Sequence, residues 1–97
     1  MPQRTVVIGS RSGLHARPAS LLVRAAARQP VAVTIARQGR PPVDARSLLS
    51  VLALGAAAGE PVVLAAEGEG AEAAIAELAA LVADDLDAPE PAAGAGE

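Results

Sequence analysis

Residues 61–82, PVVLAAEGEGAEAAIAELAALV, carry the clearest structural signal in this 97-residue sequence. Pro61 to Ala66 is typical of a strand, and Glu67 to Gly70 is typical of a turn. Apolar residues then recur at the three- and four-residue spacing of one helical face. A strand, a turn and an amphipathic helix in succession predict a sheet with a helix packed against it. The helical stripe is Ala71, Ala74, Ile75, Leu78, Leu81 and Val82.

The preceding sixty residues predict three further strands. Residues 3–9 form a β-branched run that ends in a Gly/Ser cluster. In residues 31–36, every second residue is a large aliphatic one, which is the period of a half-buried strand: Val31, Val33 and Ile35 alternate with Ala32, Thr34 and Ala36. A short strand around Val43 follows a turn and should pair with residues 31–36 as a hairpin. Pro41 and Pro42 place that short strand at an edge of the sheet, where missing N–H donors are tolerated.

Two further helices complete the predicted order. One begins at Ala16 and stops at Gln29-Pro30, because the residue before proline is disfavoured in the α region. The other, Leu48 to Leu54, is capped by Ser47 and ended by Gly55. We therefore predict an α+β open-faced β-sandwich of order βαββαβα, with a four-stranded antiparallel sheet and three helices on one face.

The first helix has two predicted faces. Its small apolar residues should face the sheet, and its arginines should face outwards. The inward set is Ala16, Ala19, Val23, Ala26 and Ala27, and the outward set is Arg17, Ser20, Leu21, Arg24 and Arg28.

The length and the last residues define the predicted domain organisation. A chain of this size allows one domain, which we place at residues 1–87. Residues 88–97 are rich in Pro, Ala and Gly and are acidic, and we expect them to be a disordered tail. Asp84, Asp85 and Asp87 have the wrong charge for a helix C-terminus, so the last helix should fray there.

Composition excludes several classes of protein. The absence of Cys argues against disulfides and thiolate metal sites, and no cluster of metal ligands is visible, so we predict no metal or cofactor. The longest apolar run, Leu78 to Ala83, is far too short to span a membrane. The first residues do not have the apolar core of a signal peptide, so we expect none. A net charge of −3 and the absence of aromatic residues argue against nucleic-acid binding. We therefore expect a cytoplasmic protein without membrane insertion.

The charges are strongly segregated along the chain. Residues 1–46 contain all eight Arg and one acid, Asp44, whereas residues 47–97 contain the other ten acids and no base. A basic N-terminal half is suited to attract acidic partners or ligands, provided that the two halves do not interleave in space.

The segment around His15, the only histidine, carries the chemistry. Gly13 precedes it, and Ala16, Arg17 and Pro18 would form the first helical turn. The backbone N–H groups of Ala16 and Arg17 should then cradle an anion, with the guanidinium of Arg17 adding a fork suited to phosphate oxygens. This cationic setting disfavours the imidazolium, and a neutral imidazole is a nucleophile. Because no nucleotide-binding loop is present, any phosphoryl group must come from and go to other proteins.

This segment resembles the active-site signature of the HPr family, the histidine-containing phosphocarriers of the bacterial phosphoenolpyruvate:sugar phosphotransferase system. The family pattern is Gly-x-His-x-Arg-Pro followed by a small residue, and the chain matches it from Gly13 to Ala19. Residues 47–55, SLLSVLALG, resemble the family's second signature around a regulatory serine, although Gly is common where Ser50 stands. The element order also matches, so the resemblance covers about residues 3–86.

The resemblance implies a role for each site residue. His15 would accept a phosphoryl group on Nδ1 from phosphorylated enzyme I and pass it to the IIA domains of sugar permeases, with Arg17 neutralising the phosphoryl oxygens. Ser47 would be the target of an HPr kinase. The protein would be a monomer and a substrate of phosphotransferase enzymes rather than an enzyme. The apolar docking patch would be Leu21, Leu48, Leu49 and Leu52, one or two of them also packing into the core, with Arg24 and Arg28 at its rim.

Two other interpretations stay open. The fold could serve as a regulatory interaction module that binds partners according to its phosphorylation state. It could also be a paralogue in a nitrogen-type phosphorelay, with the same chemistry and different partners. Because His15 and Arg17 are both present, transfer chemistry is favoured over binding alone.

Overall fold

A computed structural model describes residues 2–11 and 13–84 of the chain. The order of elements is βαββαβα, as predicted. All strand pairs are antiparallel and form one four-stranded sheet in the order β1-β4-β2-β3. The elements are β1 (Gln3–Val7), α1 (Ala16–Ala27), β2 (Val33–Arg37), β3 (Val43–Asp44), α2 (Leu48–Ala53), β4 (Pro61–Ala66) and α3 (Ala71–Ala83).

The sheet places the last strand in its centre. β4 pairs with β1 on one side, Thr5 opposite Val63, and with β2 on the other, Ile35 opposite Leu64. The two-residue β3 pairs only with β2 and lies at the edge, so the predicted hairpin and edge strand are confirmed. β2 begins at Val33 rather than Val31.

The core lies between one face of the sheet and the helices. β4 buries every second residue, Val62, Leu64 and Ala66, which is the period that a strand with one covered face requires. α3 packs on β1, β4 and β2. Its predicted stripe is buried except for Leu81, which is half-buried, and Ala79 is buried as well.

The predicted inward face of α1 is wrong by about a quarter of a turn. Ala16 and Ala27 are exposed and Val23 is half-buried. The periodicity was ambiguous because alanines occupy several faces of this helix, whereas the burial of Leu22, the one of its two leucines that is fully enclosed, decides its rotation. The buried residues of α1 are Pro18, Ala19, Leu22, Ala25 and Ala26.

The ends of the chain are only partly described. The predicted domain boundary after residue 87, the tail at 88–97 and the aspartates 85 and 87 lie outside the described residues. Asp84 follows α3 in extended conformation. Within the described ranges, no helix has the length and apolar character that would be needed to cross a membrane.

Candidate functional site at the start of helix α1

His15 lies at the junction between the β1–α1 loop and α1. It is the N-cap residue, with an extended backbone (φ −89°, ψ −170°), and its carbonyl accepts the Ala19 N–H at 2.8 Å. The ring makes no capping hydrogen bond and is exposed to solvent. The backbone of His15 therefore begins the helix while its imidazole stays available for chemistry.

Hydrogen bonds near both of its ends hold the loop that carries His15. At its start, the Gly9 N–H donates to the Val82 carbonyl at 3.0 Å, and the buried Ser10 hydroxyl donates to the Asp84 carbonyl at 3.3 Å. Near its end, the Gly13 N–H donates to Ser10 and the Leu14 N–H donates to the Ala56 carbonyl, at 2.9 and 3.0 Å. The loop is thus anchored to the end of α3 on one side and to the α2–β4 loop on the other.

Gly13 is required by its backbone and by its surroundings. Its φ of +76° lies in the left-handed region that favours glycine. A Cβ at this position would lie 2.6 Å from the Ala56 carbonyl oxygen, which is closer than such atoms approach. The residue two positions before His15 therefore packs directly against the loop after α2.

The first turn of α1 is suited to an anion. Helix geometry gives first-turn N–H groups no carbonyl partner within the helix, and Ala16 and Arg17 are both exposed there. Pro18 occupies the same turn, where it costs no helical hydrogen bond, and its ring is buried. No acidic residue is present in this turn, all of which is described. The turn therefore offers positive charge to an exposed group beside His15.

An open depression of about 520 Å³ joins His15 to the end of α2. Its walls come from the start of α1, from Leu52 and from the loop after α2. The depression is mainly apolar, so it suits an apolar side chain rather than a charged ligand. The lining residues are Leu14, His15, Ala16, Leu52, Gly55, Ala56 and Ala57.

Ser47 is the N-cap of α2, as predicted. Its Oγ accepts the Ser50 N–H at 3.3 Å and donates to the Ser50 hydroxyl at 3.0 Å. Ser47 is half-buried, so its hydroxyl is accessible in part. Ser50 thus completes the cap at the position where the sequence departs from the family pattern.

The leucines divide between surface and core. Leu49 is 82% exposed and Leu48 is 40% exposed, both unusual for large apolar side chains. Leu21 and Leu52 are half-buried, and Leu52 packs against the core, whereas Val51 is the fully buried residue of α2. Because α1 and α2 pack together, an apolar surface flanks His15.

The predicted basic rim lies along α1. Arg17, Arg24 and Arg28 are all exposed on the side of the helix that faces away from the core. With a rise of about 1.5 Å per residue, Arg28 lies about 20 Å along the axis from His15. Arg24 lies about 14 Å along the axis from His15 and is therefore the nearer of the two to the site.

Sequence reasoning did not single out the loop between α2 and β4. Gly55 and Gly59, both with positive φ, mark it as a loop, but nothing in the pattern shows that Ala56 meets Gly13.

No group of three or more His, Cys, Asp or Glu side chains within residues 2–11 and 13–84 could hold a metal ion.

Similarity to known proteins identifies the family of the chain. The model of the family described as "PTS HPr component phosphorylation site" matches residues 2–84. The chain belongs to the HPr family. It is a phosphocarrier-family protein of the phosphotransferase system, and both segments singled out above, residues 13–19 and 47–55, lie within the matched range.

Individual HPr proteins are similar over most of their length. The chain is 55% identical to the phosphocarrier protein HPr of Streptomyces coelicolor over 87 residues, 90% of this chain and 94% of the relative. The crystal structure of HPr from Bacillus anthracis has a TM-score of 0.79 at 34% identity, covering 84% and 95% of the two chains. A structure of the Bacillus subtilis catabolite repression protein Crh, described as a swapped dimer, has a TM-score of 0.66 at 36% identity, covering 84% and 93%.

Proposed function

We propose that His15 accepts a phosphoryl group on Nδ1 from phosphorylated enzyme I and passes it to IIA domains of sugar permeases in the cytoplasm. One observation carries this proposal: in a phosphocarrier-family chain, the single imidazole is exposed at a helix start and is not used as a cap. The nitrogen lone pair attacks phosphorus while the bond to the donor breaks. The protein is the substrate of its partners in both steps.

The start of α1 supplies the electrostatic part of this transfer. Exposed first-turn amides and the guanidinium of Arg17 are hydrogen-bond donors suited to the phosphoryl oxygens. The N–H of Ala16, the first helical residue, belongs to this cradle. Because such donors stabilise negative charge on the phosphoryl group, they stabilise both the transition state of the transfer and the phosphorylated product.

The docking surface is proposed to be the apolar patch of Leu21, Leu48, Leu49 and Leu52, with Arg24 and Arg28 at its rim. The exposure of Leu48 and Leu49 supports this, since a monomer gains nothing by leaving them in water. The basic side of α1 would select partners with an acidic surface. The protein would act as a monomer, and sedimentation at working concentration tests this against a dimer of the kind described for Crh.

Regulation is proposed at Ser47, which an HPr kinase would phosphorylate where such a kinase is present. Its partly accessible hydroxyl lies next to Leu48 and on the same short helix as Leu49 and Leu52. A phosphate there would add nearly two negative charges to the docking surface. That charge would then repel the same acidic partners that the arginines of α1 attract.

The proposal is tested by incubating the protein with phosphoenolpyruvate and enzyme I. We expect an acid-labile, base-stable phosphate on the wild type and none on His15→Ala, and slower acceptance by Arg17→Ala. Acid-labile phosphate on His15→Ala would place the acceptor elsewhere. A wild type that gains no phosphate but binds a partner would favour the regulatory interaction module, and transfer to nitrogen-type rather than sugar-type IIA domains would favour that relay.

A further inference from the structure

An ion pair outside the start of α1 closes the loop between α2 and β4. The Arg37 Nε donates to the Glu60 Oε2 at 2.7 Å, and the Arg37 Nη1 donates to the Leu54 carbonyl at 3.3 Å. The other carboxylate oxygen of Glu60 accepts the Ala57 N–H at 2.8 Å. One arginine and one glutamate therefore tie the first residue, the middle and the last residue of the loop 54–60 together.

The loop 54–60 also supports, through backbone hydrogen bonds, the segment that carries His15. The Ala56 carbonyl, one residue from the bonded Ala57 amide, accepts the Leu14 N–H. The start of that segment is also tied to the loop, because Ile8 exchanges backbone hydrogen bonds with Glu60 and Gly59 at 3.0 and 2.9 Å. A shift of the loop 54–60 would therefore be transmitted to both ends of the segment.

The charge state of the pair suits this role. The N–H of Ala57 and the guanidinium of Arg37 lower the pKa of the Glu60 carboxyl, so that it is ionised at neutral pH. Both side chains are about a quarter to a third exposed, so their attraction is screened and the pair is better suited to fixing geometry than to stabilising the fold.

We propose that Arg37 and Glu60 are positioning residues for His15, acting through Ala57, Ala56 and Leu14 to fix where the imidazole meets the incoming phosphoryl group. This inference rests on the proposed function of His15. Phosphoryl transfer depends on alignment, and a misplacement of about 1 Å can cost about 100-fold in rate. Arg37 and Glu60 lie outside the apolar patch of α1 and α2, so they should affect alignment without affecting docking.

The test compares Glu60→Ala with the wild type in two measurements. In NMR spectra of the free protein, the Leu14 amide and the His15 ring signals should shift. With enzyme I, the turnover rate of phosphoryl acceptance should fall about tenfold, whereas the KM for the protein should stay unchanged. Glu60→Gln keeps an oxygen for the Ala57 N–H and should recover most of the rate.

Asp44→Ala is the matched control, because it breaks a second arginine–carboxylate pair, Asp44 with Arg46. The Asp44 carboxylate accepts from the Arg46 side chain at 3.1 and 3.2 Å and from the Arg46 N–H, and Arg46 lies outside the loop 54–60. In Asp44→Ala, the NMR signals of Leu14 and His15 and the turnover rate should be those of the wild type.

Three results would overturn the inference: unshifted Leu14 and His15 signals in Glu60→Ala, an unchanged turnover rate in that variant, or equal effects in Asp44→Ala. Should Glu60→Ala lose its dispersed core methyl signals, Arg37→Gln removes the same link from the other side and takes its place. If the wild type accepts no phosphoryl group, the proposed function fails, and the NMR shifts alone decide whether the pair positions His15.

Discussion

At the start of α1, the helix is capped by a residue that caps poorly. Ser, Thr, Asp and Asn are the preferred N-caps because their side chains accept a first-turn N–H. His15 has the extended backbone of an N-cap but makes no such bond. The site therefore gives up local stability to keep the ring free, a pattern expected where function opposes stability.

His15→Ser should accordingly raise the free energy of unfolding by about 0.5–1 kcal/mol while abolishing phosphoryl acceptance. Urea denaturation and the phosphorylation assay measure the two effects on the same protein. His15→Ala, which cannot cap, is the control and should show the loss of function without the gain. A serine variant no more stable than the alanine variant would contradict this account of the cap.

Gly13 combines a backbone demand with a steric one. Gly13→Ala should lower the free energy of unfolding by about 2–3 kcal/mol, because the positive φ and the contact with the Ala56 carbonyl both oppose a Cβ. Gly39→Ala is a matched control, since Gly39 has φ +79° but nothing within 4 Å of an added Cβ. In urea denaturation, the free energy of unfolding of Gly39→Ala should be only about 1 kcal/mol below that of the wild type. Equal losses would mean that the close approach to Ala56 is unimportant.

Among the elements, α2 and its N-cap Ser47 combine a cap, a core contact and an exposed patch within seven residues. Val51 anchors the helix in the core, which leaves Leu48 and Leu49 to face solvent. A six-residue helix has little intrinsic stability, so its packing on α1 and its Ser47 cap keep it in place. Any new charge at the cap therefore lies on a surface that the fold holds rigid.

Ser47→Asp tests the proposed regulation. A carboxylate is also a good N-cap, so the thermal midpoint should be unchanged or slightly raised. Its charge lies beside the apolar patch, and we expect slower association with enzyme I and slower phosphorylation of His15, most strongly at low salt. Ala73→Asp, on the exposed side of α3, adds the same charge elsewhere and should have little effect. Equal transfer kinetics for Ser47→Asp and wild type at low ionic strength would show that Ser47 is only a helix cap and does not regulate the transfer.

Over the whole molecule, the charge segregation of the sequence is only partly preserved. α1 carries Arg17 and Arg24 without an acid and has Arg28 as its C-cap, and α3 carries Glu72 and Glu77 without a base. The two halves of the chain meet where Arg37 of β2 pairs with Glu60 before β4. The basic face is therefore a property of α1 rather than of the entire N-terminal half.

The paired carboxylates make stability depend on pH. The Arg46 side chain lowers the pKa of Asp44, and the Ala57 N–H and Arg37 lower that of Glu60. Because both folded pKa values lie below the unfolded ones, their stabilising contribution is present at neutral pH and is lost as pH falls below about 4 to 4.5. In urea denaturation, the advantage of the wild type over Glu60→Gln should shrink between pH 7 and pH 3. A constant difference would show that ionisation of Glu60 is not its cause.

The order of elements, the strand boundaries to within two residues and both helix starts at His15 and Ser47 could be predicted from local sequence. These features depend on local chemistry: β-branched runs, Gly and Pro punctuation, and capping residues act on their own neighbours. The family signature around His15 is local for the same reason. The rotation of α1 was predicted incorrectly, because a helix rich in alanine has several nearly equal apolar faces until the burial of Leu22 in the core selects one of them.

The surroundings of His15 were decided only by the tertiary structure. Ala56 and Glu60 lie more than forty residues from His15 in the chain, and nothing in their local pattern distinguishes them from ordinary loop residues. They become part of the site because the central position of β4 brings the loop before it against Gly13 and Leu14. Sequence by itself identified the residue that we propose as the phosphoryl acceptor, and the packing of distant segments decided how that residue is held.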